Sequence, residues 1–260
     1  MPAMQANGIS INYRFDGAAE GAPVLMFSNS LGTDLHMWNG QIEPLAKHFR
    51  ILRADTRGHG KTEAPNYPYT CDMLGNDALA LLDALKIDKV YFCGLSMGGM
   101  IGMWLGRNAS ARLHKLVLCN TAAKFGLPDI WNQRIATVRA SGMKAITQTV
   151  LERWFTKTFR ETSPDKIKPV ESMLHATPAQ GYAGNSAAIR DVDQRWPIVS
   201  IATPTLVIGG RHDPATPFEA AQLIAGRIPG AKLVALDAAH LSNIEQPEAF
   251  NAALGDFLKG

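Results

Sequence analysis

Cysteine is scarce: the 260 residues hold only Cys71, Cys93 and Cys119, an odd number with no C-x-x-C spacing. That leaves no disulfide framework and no thiolate metal site. Cys93 and Cys119 sit inside apolar runs and read as reduced core residues, which fits a reducing, cytoplasmic setting. No H-x-H or H-E-x-x-H pattern occurs, so no metal site is expected. An excess of one charge is also missing, since 26 Lys and Arg against 23 Asp and Glu leave a formal +3. With no basic run longer than a few residues, neither nucleic acid nor an anionic membrane is an expected partner. No apolar run is long enough to read as a bilayer span. Residues 1–8 lack the basic-then-apolar pattern of an export leader.

What is present is 46% apolar and 19% charged, the make-up of a folded globule whose length suits one α/β domain with room for an insertion. Asn7-Gly8 between alternating residues predicts an opening hairpin. Apolar runs at 24–28, 51–54, 90–93, 116–118, 205–210 and 232–236 predict strands. Trp38, Ile42 and Leu45, and then Leu74, Ala78, Leu81, Leu82 and Leu85, recur at helical spacing. The alternation implies a mostly parallel sheet flanked by helices on both faces. It stops between residues 122 and 189, a segment helical in tendency and broken at Pro128, Pro164, Pro169 and Pro178. We read residues 1–121 and 190–260 as a core and 122–189 as a helical cap inserted over the carboxyl ends of the strands, where such sheets bind ligands. Within that segment Trp131, Trp154 and Phe155 can equally be plain packing residues.

Gly94-Leu95-Ser96-Met97-Gly98 follows the 90–93 run and opens another apolar stretch, the arrangement of a nucleophile elbow between strand and helix. A serine hydroxyl is a weak nucleophile unless a base, oriented by a third group, takes its proton. Asp213 comes just past the 205–210 strand and His240 follows the 232–236 strand through a short loop, so the order Ser, Asp, His is that of α/β hydrolases. Asp193 is the alternative acid. Asp55 and His59, in Asp55-Thr56-Arg57-Gly58-His59-Gly60, can be read as a second acid-base pair, but Asx and Gly turn chemistry accounts for such a loop without catalysis. His212 adjoins Asp213 and should point away from it. His36, His48, His114 and His175 have no partner at a useful spacing and read as structural or solvated.

Acyl transfer also needs donors for the oxyanion. The Met97 N–H, at the start of the elbow helix, is one candidate. The loop Ser28-Asn29-Ser30-Leu31-Gly32 carries Asn29 and Ser30 where hydrolases of this order usually have His-Gly, which makes the Leu31 N–H the second. For a substrate carboxylate, Arg134 lies one helical turn from Trp131, so the guanidinium can grip the anion while the indole covers a ring or donates its N–H. Lys124, Arg153 and Arg190 are rival cations.

Taken together, Ser30-Leu31-Gly32-Thr33, the Asp55–Gly60 loop, Gly94-Leu95-Ser96-Met97-Gly98-Gly99, Asn120-Thr121-Ala122, Trp131-Asn132-Gln133-Arg134 and His212-Asp213-Pro214-Ala215-Thr216-Pro217 resemble the 3-oxoadipate enol-lactonase family over nearly the whole chain. The resemblance implies a cofactor-free hydrolase of aromatic-compound catabolism, in the β-ketoadipate route, acting on a small anionic lactone. The residues alone stop at a serine ester or lactone hydrolase. Carboxylesterases, perhydrolases and carbon–carbon bond hydrolases share the triad, and a hydrolase-fold ligand receptor can keep it with little turnover. Haloalkane dehalogenases are disfavoured, because their elbow carries aspartate.

Overall fold

Asn7 and Gly8 both take positive φ, 47° and 75°, as a tight two-residue hairpin turn demands, and they join β1 (Ala3–Ala6) to β2 (Ile9–Gly17). The computed structural model describes residues 2–66 and 68–260; Met1, the first residue of the N-terminal stretch considered above, lies outside them. β2 pairs antiparallel with β4 (Arg50–Ala54). From there β3 (Val24–Ser28), β5 (Val90–Leu95), β6 (Leu113–Cys119), β7 (Thr205–Gly210) and β8 (Lys232–Leu236) continue in parallel. The described residues thus form an eight-stranded sheet in the order β1-β2-β4-β3-β5-β6-β7-β8, the mostly parallel sheet that the alternation in the sequence implies. β6 starts three residues before the apolar run that marked it. Its polar residues find partners at the rim: the Lys115 ammonium donates to the carbonyls of Phe257 and Leu258 at 2.9 and 3.3 Å, and His114 packs on Tyr91.

The helices are α1 (Asn39–Leu45), α2 (Cys71–Ala84), α3 (Met97–Asn108), α4 (Pro128–Ser141), α5 (Lys144–Trp154), α6 (Lys157–Thr162), α7 (Pro164–Ala176), α8 (Ala179–Asp191), α9 (Phe218–Arg227), α10 (Ser242–Glu245) and α11 (Pro247–Lys259). Strand side chains alternate between faces, and the two faces are covered by different helices. α3 closes on Phe92, Leu116 and Leu118 through Gly102, whereas the end of α11 meets Lys115 on the opposite side. No helix among the described residues is long and apolar enough to cross a membrane.

α4 to α8 all fall between β6 and β7. Pro128 and Pro164 open α4 and α7, where the missing N–H costs no intrahelical bond. Pro178 is the N-cap of α8. Pro169, expected as a break, lies inside α7 without ending it. α8 sits on the core at van der Waals distance: a Cβ on Gly181 would stand 1.9 Å from the Gly58 carbonyl oxygen, and one on Gly58 would stand 2.5 Å from the Gly181 Cα.

Strand order reverses between β3 and β5, and at such a switch point the loops leaving neighbouring strands diverge and open a crevice. The loop after β3 carries Leu31. The turn after β5 carries Ser96.

Candidate active site

Ser96 is the N-cap of α3 and holds φ 57°, ψ −111°, a conformation that costs a non-glycine residue about 1–3 kcal/mol and persists only where the surroundings impose it. They do so through close backbone contact. A Cβ on Gly94 would lie 2.1 Å from the Gly98 carbonyl oxygen, and one on Gly98 would lie 2.1 Å from that of Ser28. The Ser96 N–H donates to the Cys119 carbonyl at 2.9 Å, the Thr121 hydroxyl donates to the Ser96 carbonyl at 2.7 Å, and the Gly98 N–H donates to the Asn29 carbonyl at 3.0 Å. The serine is thereby fixed on both flanks, by the loop after β6 and the loop after β3.

His240 and Asp213 meet through Nδ1 and Oδ2 at 2.8 Å, and both are almost fully buried. With Asp213 accepting from Nδ1–H, the neutral imidazole keeps Nε2 as its acceptor. The other Asp213 oxygen accepts the N–H groups of Ala215 and Thr216 at 2.8 and 2.9 Å, and Oδ2 also takes the Thr216 hydroxyl at 2.7 Å. Burial alone would raise this carboxyl. The His240 charge and the hydrogen bonds from His240 and Thr216 outweigh it and hold Asp213 below the usual carboxylate range.

Asn120, which the sequence reading did not single out as a site residue, links these parts. It has φ 42° at the end of β6. Its amide NH₂ donates to Asp213 Oδ2 at 3.1 Å and to the Ala239 carbonyl at 3.0 Å, while its oxygen accepts the Ser242 hydroxyl at 2.6 Å. One buried amide thus ties the acid to the loop that carries the histidine. The available sequence signal was its position directly after a central strand.

Asp193 lies elsewhere: its carboxylate pairs with Arg195 at 2.6 Å and Lys124 at 3.4 Å, and these partners depress its pKa. His212 bonds Asp237 at 2.7 Å and not its neighbour Asp213. His36, expected to lack a partner, pairs with Asp34 at 2.9 Å, and His175 faces Glu171 at 4.0 Å across one helical turn.

Asp55 and His59 form no acid-base pair; each braces backbone. Asp55 accepts the N–H groups of Leu35 and Lys61 at 2.8 and 2.9 Å. His59 Nε2 accepts the Gly32 N–H at 2.8 Å, so a neutral ring fastens the loop that bears Leu31. Complete burial pushes His59 down from its ordinary 6.5 to about 4. Between those two values the unfolded chain takes up a proton that the folded protein refuses, so folding stability falls as pH drops through that window, by about 3 kcal/mol in full. Urea midpoints at pH 7 and pH 4 should show this loss, and His59→Gln, which keeps an acceptor but does not titrate, should make it smaller. Equal acid losses in the two proteins would refute the assignment.

Among the described residues no acceptor takes the N–H of Leu31 or of Met97, so both remain available to an incoming oxygen. One cavity is lined by Leu31, Ser96 and His240 and also by Trp131, Arg134, Arg153 and Tyr182. The Arg134 guanidinium lies 5.0 Å from the Trp131 ring centroid. The Trp131 N–H is already committed to the Phe125 carbonyl at 2.7 Å. The indole can therefore cover a ligand but not donate to one, a correction to the expectation that it could do either. Of the rival cations, Lys124 is paired with Asp193, and Arg190 bonds Asp191 and Asn132 away from the cavity lining. Arg153 is on the lining, donating to the Pro214 carbonyl at 3.0 Å. Burial first, and then repulsion from Arg134, press its pKa below the usual arginine range.

The α/β hydrolase fold family model matches residues 23–247. The 3-oxoadipate enol-lactonase 2 of Acinetobacter baylyi is 41% identical over 98% of this chain and 96% of its own. Among solved structures, the enol-lactonase from Burkholderia xenovorans LB400 superposes with a TM-score of 0.98 at 45% identity, covering all of both chains. A thermophilic esterase from Thermogutta terrifontis, solved with malate bound, superposes at 0.92 with 27% identity over 100% of this chain and 98% of its own.

Proposed function

The chain belongs to the α/β-hydrolase family, in its enol-lactonase branch, and from that premise we propose that it opens 3-oxoadipate enol-lactone to 3-oxoadipate. The observation that carries this reading is one cavity whose lining holds a serine and a histidine together with two arginines. A charged arginine pressed by burial and by a second arginine is relieved when an anion enters between them, and the enol lactone carries one free carboxylate. The esterase relative bound to a dicarboxylate is consistent with such a pocket.

In this proposal Ser96, Asp213 and His240 are the catalytic residues. His240 Nε2 takes the Ser96 proton as Oγ attacks the lactone carbonyl, and the new oxyanion receives the N–H groups of Leu31 and Met97, each such donor being worth roughly 3 kcal/mol. The tetrahedral intermediate expels the ring oxygen as an enolate, which takes the proton from His240 and becomes the ketone, leaving a ring-opened acyl-enzyme on Ser96 and a neutral imidazole. Water, deprotonated by His240, releases the second carboxylate. Asp213 holds the imidazole in its tautomer and stabilises the cation throughout. Protein groups and water suffice for these steps. Helices α4 to α8 act as the cap that sets substrate choice, and we place the enzyme in the cytoplasm.

Arg134 and Trp131 are the proposed substrate-binding residues, with the guanidinium on the carboxylate and the indole over the ring. Arg134→Ala is expected to cost roughly 2–4 kcal/mol in kcat/KM for the anionic lactone, since it removes one partner of a partly buried charge pair, and to spare small neutral esters. Equal losses on both substrates would show that Arg134 only supports the cap. Multiple-turnover assays of the wild type with the enol lactone, a neutral ester and a carbon–carbon hydrolase substrate test the function as a whole. Preference for either of the latter two, or a single turnover with all three, would overturn it.

A further inference from the structure

The N–H groups of the two residues flanking His240 lead to the junction of α5 and α6, one directly at the last residue of α5 and one through Glu245 of α10. The Leu241 N–H donates directly to the Trp154 carbonyl at 3.1 Å. The Ala239 N–H donates to Glu245 Oε2 at 2.9 Å. Glu245 Oε1, in turn, accepts the Thr156 hydroxyl and, at 3.2 Å, the Thr156 N–H. Thr156 is the N-cap of α6, its oxygen accepting the Phe159 N–H at 3.2 Å. Glu245 is 7% exposed, and among the described residues no Lys, Arg or His pairs with it. A nearly buried carboxylate without a counter-ion is costly unless donors satisfy it. Here three do, one from the histidine loop and two from the inserted helices.

We propose that Glu245 is a positioning residue for His240, and that Thr156 and Glu245 together form a strap through which the seating of the inserted helices sets the reach of the base. The proposal rests on His240 being the base. A general base works only within hydrogen-bond reach of its proton, and a displacement of about 1 Å can cost on the order of 100-fold in rate. Asp213 holds the ring of His240, whereas the backbone carrying that ring is held by Asn120 at the Ala239 carbonyl and by the N–H groups of Ala239 and Leu241. Neither Glu245 nor Thr156 lines the cavity, so loosening the strap changes turnover and leaves substrate affinity alone. This separates it from Arg134, whose loss falls on the anionic substrate only.

The test uses the full-length enzyme with the enol lactone and with 4-nitrophenyl acetate. Glu245→Gln places an NH₂ group against one of the N–H or O–H donors, and Thr156→Val deletes the hydroxyl. Each is expected to lower kcat about 10- to 100-fold on both substrates with KM within about twofold. Thr156→Ser, which keeps the hydroxyl, should stay within about threefold of the wild type. The double variant should be no slower than its slower parent, because both changes cut one connection. An unchanged kcat, losses that fall in KM, multiplying losses in the double variant, or Thr156→Ser as slow as Thr156→Val would each overturn the proposal. Should Glu245→Gln fail to fold, as judged by its urea midpoint, the valine and serine variants at 156 decide alone. His240→Asn is the control: if it retains turnover, the assignment of the base has failed, whereas if it is inactive and the strap variants are at full speed, only the strap has.

Discussion

Ser96→Ala is expected to lower kcat for the lactone on the order of 10⁶-fold while leaving the fold in place, the size of loss seen when the nucleophile of a triad that acts as a unit is removed. The geometry supports both halves of that statement. Alanine keeps the Cβ and thus meets the same φ of 57° that serine already tolerates. The elbow is held by backbone bonds to Cys119, Asn29 and Thr121 and by close glycine contacts, none of which involves the Ser96 hydroxyl. Steady-state rates with a urea midpoint for each protein check the prediction. Acid quenching of the wild type during turnover of a slow ester should trap a mass-shifted acyl adduct on Ser96. A variant near the wild-type rate, or an adduct on another residue, would sink the covalent mechanism.

Asp213→Asn should cost on the order of 10⁴-fold in kcat at neutral pH. The reason can be read from its partners. One oxygen accepts two backbone N–H groups, so an asparagine would place its own carbonyl there. Its NH₂ group would then face His240 Nδ1, the Thr216 hydroxyl and the Asn120 amide, all of which now donate to Oδ2. The imidazole would turn to the tautomer that accepts at Nδ1, which leaves Nε2 protonated and unable to take the serine proton. A near-neutral Asp213→Asn would mean that another carboxylate orients the histidine, and Asp193, bound to Arg195 and Lys124, is not placed to do so.

Much of this arrangement was legible because it is local in sequence. Glycines two residues to either side of Ser96 announce a backbone too tight for side chains, and a polar residue just past an apolar run announces the end of a strand at the rim of the sheet. On that basis Ser96, Asp213 and His240 could be named together, and the structure brings Asp213 and His240 into contact and has Ser96 and His240 in the lining of the same cavity. The residues that brace them were not legible. Asn120 reaches Asp213 across 93 positions and Glu245 reaches Thr156 across 89, and no periodicity carries that information. His59 looked like turn chemistry, and its grip on Gly32 depends on a burial that only the folded chain creates. The side-chain direction of Trp131 was equally hidden, since its N–H is consumed by a loop carbonyl six residues earlier in the chain.

The backbone contact between Gly181 and Gly58 gives the inserted helices two different evolutionary freedoms. With a Cβ at 181 forced to within 1.9 Å of a carbonyl oxygen, α8 is seated on the core like a keyed joint, and that joint accepts no side chain. The Asn185 amide adds a bolt one turn further along, donating to the Arg57 carbonyl at 2.7 Å. By contrast, Leu127, the N-cap of α4, and Ile130 in its first turn stand in solvent, 68% and 50% exposed, and α4 carries Trp131 and Arg134 onto the cavity lining. Ile135 and Val138 of α4 are buried, Ile135 against Ala183 and Ala187 of α8, so the freedom lies at the cavity-facing positions of α4, while position 181 has to stay glycine for α8 to dock in this way.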